Sequence, residues 1–401
     1  MAFIFNGNTP RTITYNGNNV SKLVYGQDIV WLQSYLATIT GNTPLTLPNA
    51  TNETLNQAKI YGICTQNGTP TPTVPVDIEC NNGTIKYSAN MCNVNEQTAL
   101  IGYYTSASGV VTADIYNWMY KDFIPVKPNT TYTLTMSTPV YYVSISEYST
   151  ADDSGFVIRK AGSTGNNRTL TITTGANTNY VRFGTNIDRT VVTLEEVLAI
   201  NWMLNQGSAA LPYTPYVEGG IYIDGTNEVL TMGTQTANIE TLLSVGNYKD
   251  IQEIINGNIT RKVGVKVLDG TETFTASSSG AMITAIPDVA IGADNVPMNT
   301  HFALETSPTS IAVGTQRFGA SGTKIYSANY YMKPLTTMTV SDFKQYLANQ
   351  YNAGTPVIVI YPLATETTES VTSQTLTAQE GTNTISSNKG AREMEVKYYR
   401  T

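Results

Sequence analysis

The chain has 401 residues, enough for two or three domains, with 30 acidic against 23 basic residues and a net charge of −7. That balance offers no basic field for nucleic acid, no apolar run approaches the 18 residues of a bilayer span, and a single histidine, His301, removes any site built on two histidines. With 61 Thr and 36 Asn, about a quarter of the chain suits strands or turns, so the composition points to an all-β protein with a neutral surface rich in hydroxyls and amides.

Residues 1–32 read as hairpins. Phe3–Phe5, Thr12–Tyr15, Val20–Tyr25 and Ile29–Trp31 are short β-rich runs separated by Asn6-Gly7, Asn16-Gly17 and Gly26-Gln27-Asp28. Asn-Gly tolerates the positive φ of a type I′ turn. Residues 33–92 form a β-rich connecting module, with Val76–Cys80 turned by Asn81-Asn82-Gly83 into Thr84–Tyr87. Cys64, Cys80 and Cys92 are odd in number, contain no CxxC pair and follow no export signal, so they are expected as free thiols, a Cys64–Cys80 bridge being the alternative.

Residues 93–206 read as one β-sandwich. Phe123, Tyr132, Leu134 and Met136 lie at strand spacing, and Leu170 and Ile172 share a face. Thr193-Leu194-Glu195-Glu196 fits a capping box opening a short helix, and Ile200–Leu204 reads as the closing strand. Residues 207–257 form a linker in which Asp250–Ile255 reads as an amphipathic turn. Residues 258–365 make a second β-rich domain, with a hairpin at Asp269-Gly270, a helix at Ser341–Ala353 capped by Ser341, and a buried strand at Val357–Tyr361. The tail, 366–401, ends in a strand at Glu393–Tyr399.

Catalytic patterns are missing from the sequence, and no cofactor or metal site is expected. Asp152/Asp153 fall in a loop, Glu195/Glu196 in a first helical turn, and no P-loop, GxSxG, HExxH or EF-hand spacing occurs. Binding residues are more plentiful. Aromatic rings stack on sugar rings, and Tyr103, Tyr104, Tyr116, Trp118 and Tyr142 of the sandwich are the candidate glycan contacts.

Four stretches carry a resemblance: Thr12–Trp31; Cys64–Gly83 with its Thr-Pro repeats; Tyr248–Gln252 with Val267–Glu272; and Ala353–Ala364. They resemble tail or baseplate fibre-type minor structural proteins of phages and prophages of Gram-positive gut bacteria. Met203–Ser208 with Tyr213–Tyr216 is similar to the closing segment of carbohydrate-binding jelly rolls carried by such proteins, which usually show Glu where this chain has Asn205 or Gln206. The resemblance implies a homotrimer and a place in the virion after synthesis in the bacterial cytoplasm; the fold expected from the strand pattern is serial β-sandwich or jelly-roll modules, and residues 1–32, too small for a core of their own and rich in apolar residues and strand edges, are expected to be the anchor. The implied partners are other tail or baseplate proteins and host-surface polysaccharide, with neither nucleic acid nor membrane insertion. The alternatives are an architectural or head-decorating protein without receptor affinity, and a capsule-degrading hydrolase.

Overall fold

The computed structural model describes residues 58–304 and 339–397 apart from short gaps, together with strands within 13–48 and at 317–327. Strands account for 51% and helices for 8%, which makes the protein all-β. The described residues include two α-helices, Leu194–Leu198 and Val340–Asn352. The chain divides into two compact units.

One unit comprises Tyr87–Tyr222 with Asn349–Pro356. Its larger sheet orders Ala99–Thr105, Val111–Tyr120, Tyr180–Asn186, Tyr142–Tyr148 and Phe156–Ala161, with Ile124–Pro125 also paired to Tyr180–Asn186. Its smaller sheet orders Asn167–Thr173, Thr131–Val140 and Trp202–Gln206. All these pairings are antiparallel, and Leu134 is the central rung, opposite Leu170 on one side and Leu204 on the other. The inner faces of both sheets supply one core: Trp118, Val143, Ile145 and Phe183 from the larger, Tyr132, Leu134, Ile172 and Trp202 from the smaller. Each such side chain contributes about 1.5–3 kcal/mol on burial. Trp118 meets Trp202 edge-on with ring centres 4.8 Å apart.

Asn90 clasps the closing strand. Its Oδ1 accepts from the Cys92 and Leu204 amides (3.1 and 3.2 Å), and its Nδ2 donates to the Trp202 carbonyl at 2.9 Å. The expected capping box is present: Thr193 Oγ1 accepts from the Glu196 amide while Glu196 accepts from the Thr193 amide at 2.8 Å. Two charges lie inside this unit with partners. Glu147, fully buried, meets Lys160 at 2.5 Å and accepts from Thr178 Oγ1 at 2.6 Å. Arg182 pairs with Asp153 at 2.5 Å and lies 4.5 Å from the Phe123 ring centre.

The other unit is discontinuous: Met1–Lys86, Ile223–Ala348 and Val357–Thr401. Its seven-stranded sheet orders Met298–Asn299, Val357–Ser370, Asn258–Leu268, Ile251–Glu253, Lys59–Tyr61, Arg392–Lys397 and Ser34–Ile39. Stretches that the sequence assigns to four separate modules therefore share one sheet. The apolar run Val357–Tyr361 is buried and flanked on both sides, Ile360 opposing Val265 and Met298. Four further strands, Gln235–Ile239, Glu228–Met232, Thr382–Ser387 and Leu45–Pro48, form a second sheet. Asp250, fully buried, holds the joint: it accepts from the Leu243, Lys262 and Val263 amides and pairs with Arg261 at 3.1 Å, which reaches Glu369 at 3.0 Å.

The N-terminal hairpins form as Ile13–Tyr15 with Asn18–Val20 and Lys22–Tyr25 with Asp28–Leu32; the run at Phe3–Phe5 lies outside the described residues. Several expectations are corrected. Cys64 and Cys80 are not free but form a disulfide, and Cys92 alone is a free thiol. The reason is register: the two residues are direct partners on antiparallel strands, with Cα atoms 4.1 Å apart. Asp250–Ile255 is not a helical turn, because Ile251–Glu253 is hydrogen-bonded between two other strands. Asp269-Gly270 does not close a hairpin; the strands on either side of it enter different sheets. Gly270, at φ +86°, is needed because a Cβ there would stand 2.3 Å from the Lys344 carbonyl of the long helix. That helix starts one residue earlier than expected and is capped by Thr339, whose Oγ1 accepts from the Asp342 amide at 3.2 Å, not by Ser341.

Candidate functional site

The sandwich carries its exposed rings around a wide bulge. Along the first two strands the register runs from Ile101↔Trp118 to Tyr103↔Ala113, so Gly102 alone stands opposite four residues, 114–117. Such an insertion leaves the extra residues unpaired and pushes them out of the sheet. Asp114 holds the bulge, accepting from the Tyr116 amide (3.0 Å) and Asn117 Nδ2 (2.8 Å). Ile115 and Tyr116 are consequently 57% and 45% exposed.

The loop after Tyr180–Asn186 lies beside this bulge, since the Val192 amide donates to the Ile115 carbonyl at 3.0 Å. At its tip Arg189 takes φ +72°, a left-handed conformation that costs a non-glycine residue roughly 1–2 kcal/mol. Asn186 Oδ1 accepts from the Arg189 amide at 2.7 Å and stabilises the turn. Asp188 is occupied by the Thr190 hydroxyl and amide, which hold its carboxyl below the usual carboxylate range. The Arg189 guanidinium sits 4.5 Å from the Tyr141 ring centre and joins no ion pair among the described residues. An exposed cation on an aromatic face, beside a displayed tyrosine, offers hydrogen-bond donors and an apolar platform to a polar ligand.

The sequence-derived candidates are placed unequally. Tyr116 is on the bulge, and Tyr103 is 39% exposed just across it, opposite Ala113. Tyr104, opposite Thr112, and Tyr142, opposite Asn186, are half-buried. Trp118 is fully buried in the core and is withdrawn from the list, because the register puts its side chain against Trp202 and Phe183. Sequence reasoning missed Arg189 and Ile115. The Asx-type residues Asn186 and Asp188 signal a loop there, but nothing in the sequence marks an arginine as its left-handed residue.

The other candidates serve the fold. Asp152 caps the short 3₁₀ turn Asp153–Gly155, and its bonds from Ser154 and Thr150 depress its pKa. Asn205 is fully buried, its Nδ2 donating to the Gln206 and Ala209 carbonyls, both at 3.0 Å. His301 is buried with Nδ1 2.8 Å from Thr300 Oγ1. No group of three or more His, Cys, Asp or Glu able to hold a metal occurs among the described residues. No described helix is long and apolar enough to cross a membrane. No family model, curated protein or solved structure matches the chain.

Proposed function

We propose that this chain is a phage virion structural protein, a tail or baseplate fibre subunit that contacts host-surface glycan through residues 93–206. The observation that carries the reading is a bulge that displays Tyr116, bonded through the Ile115 carbonyl to a braced loop that holds Arg189 over Tyr141 with no ion pair among the described residues. The neutral Thr- and Asn-rich surface agrees with it, as does the resemblance carried by Thr12–Trp31 and Ala353–Ala364. A single site of this type binds weakly, at about millimolar affinity, and gains strength from several copies on one particle, which fits a homotrimer.

The test is binding of the full-length chain to host-envelope polysaccharide on a biosensor. Tyr116→Ala and Arg189→Ala are expected to weaken binding at least tenfold with melting unchanged. Unchanged binding by both variants would move the contact elsewhere. Complete absence of binding by the native chain favours the architectural alternative. Light scattering checks the trimer, which a monomeric mass would exclude.

A further inference from the structure

The discontinuous unit holds a cleft of about 540 Å³, lined by none of the rings described above and within the size range of small-molecule sites. We propose that this cleft binds a pyranose, independently of the bulge-and-loop surface.

The argument starts with strand pairing. Gly264 lies directly opposite Tyr361, and a Cβ at Gly264 would stand 2.6 Å from Tyr361 Cζ. The tyrosine ring therefore covers the glycine and is fixed there as part of the cleft lining. Two residues along the same strand, Lys266 enters the cleft, facing Glu272. The Glu272 carboxylate is held by the Asp269 and Gly270 amides at 3.3 and 3.0 Å, and it is nearly buried.

The Lys266–Glu272 separation is the informative quantity. At 3.8 Å it is too long for a direct hydrogen bond, whereas Lys262 and Glu366, on the paired strands Asn258–Leu268 and Val357–Ser370, meet at 2.6 Å. The cleft thus presents a cation with donors to spare beside a fixed carboxylate with accepting capacity. The exposed Thr273 and Thr275 also line it, and their hydroxyls make no side-chain hydrogen bond among the described residues. Ile283, Ala285 and the Tyr361 ring supply apolar surface. A pyranose presents this combination: vicinal hydroxyls that donate and accept, and a C–H face that rests on apolar groups. A purely apolar ligand would displace water from Lys266 without replacing its hydrogen bonds, which is costly.

The experiment is saturation-transfer NMR and calorimetry on the full-length protein, with methyl β-glucopyranoside and N-acetylglucosamine as probes. Ala285→Trp, at an exposed position, fills the cleft, and Lys266→Met removes the donor. The native chain is expected to bind at least one probe, and both variants to bind it at least tenfold more weakly. The bulge-and-loop surface is scored separately, by envelope binding in Tyr116→Ala and Arg189→Ala. Native protein that binds neither probe, or binding unchanged in both Ala285→Trp and Lys266→Met, overturns the proposal.

Discussion

The two units reach the same class of structure by different routes. In the 87–222 unit every sheet partner comes from the one stretch 99–206, and a single aromatic cluster around Trp118, Trp202 and Phe183 fills the space between two sheets. In the discontinuous unit one sheet joins strands from residues 34 to 397, with Asp250 and Gln252 fully buried at its joint, and Glu228 is fully buried in the second sheet, where it accepts from Ser387 Oγ at 2.9 Å. Alternating apolar residues fix a register well when neighbours in sequence are neighbours in the sheet. Where distant segments must find each other, a buried carboxylate that accepts only from particular amides adds a second constraint on pairing.

The sharpest test removes that constraint. Asp250→Ala leaves three buried backbone amides without their acceptor and removes one of the two carboxylates that Arg261 meets, and the expected loss is about 3 kcal/mol. Segment-resolved hydrogen exchange should show the loss in the strands Ile251–Glu253 and Asn258–Leu268 and not in the sandwich. Uniform loss across both units would show that Asp250 does not act locally.

Breaking the disulfide is the next largest effect. Cys64 and Cys80 are 16 residues apart, and a loop of that size corresponds to about 3 kcal/mol. Cys64→Ser with Cys80→Ser should lower the denaturation midpoint of the discontinuous unit alone, and the intact unreduced chain should weigh two hydrogens less than the reduced one.

The sandwich answers to alkali. Burial pushes the Cys92 thiol up to about 12 from 9.0, and burial pushes the Tyr120 hydroxyl up to about 12 from 10.0. Because the folded state holds these protons more tightly, their contribution to stability is complete below about pH 9 and is lost as pH rises toward 12. Urea midpoints across that range should fall steadily, and Cys92 should resist alkylation at pH 8 until the chain unfolds. The smallest effect is local: Thr193→Ala removes the capping box of Leu194–Leu198 and should cost about 1 kcal/mol by thermal melting.

The all-β class, the capped helix at 194–198 and the buried strand at 357–361 were legible in the sequence because each rests on local pattern: β-rich composition, a Thr-x-x-Glu spacing, a continuous apolar run. What was not legible depends on partners. Asp269-Gly270 has hairpin chemistry, yet Gly270 answers to the close approach of a helix more than seventy residues later in the chain. The disulfide needed the register of two short strands, which an odd cysteine count cannot convey. The displayed rings needed the bulge at 114–117, and neither its length nor the left-handed Arg189 leaves a trace in residue type.

The contact between Gly264 and Tyr361 also restricts how this sequence can change over generations. A side chain at 264 meets the ring at 361, which must shift to admit it, so substitution at 264 is costly while the tyrosine stands. Position 361 must shrink first, uncovering the glycine in a central pair of strands, before 264 can accept a larger residue. The two positions are therefore expected to change in a fixed order, and a library that randomises 264 alone should return mostly glycine, whereas one that randomises both should recover larger residues at 264 beside smaller ones at 361.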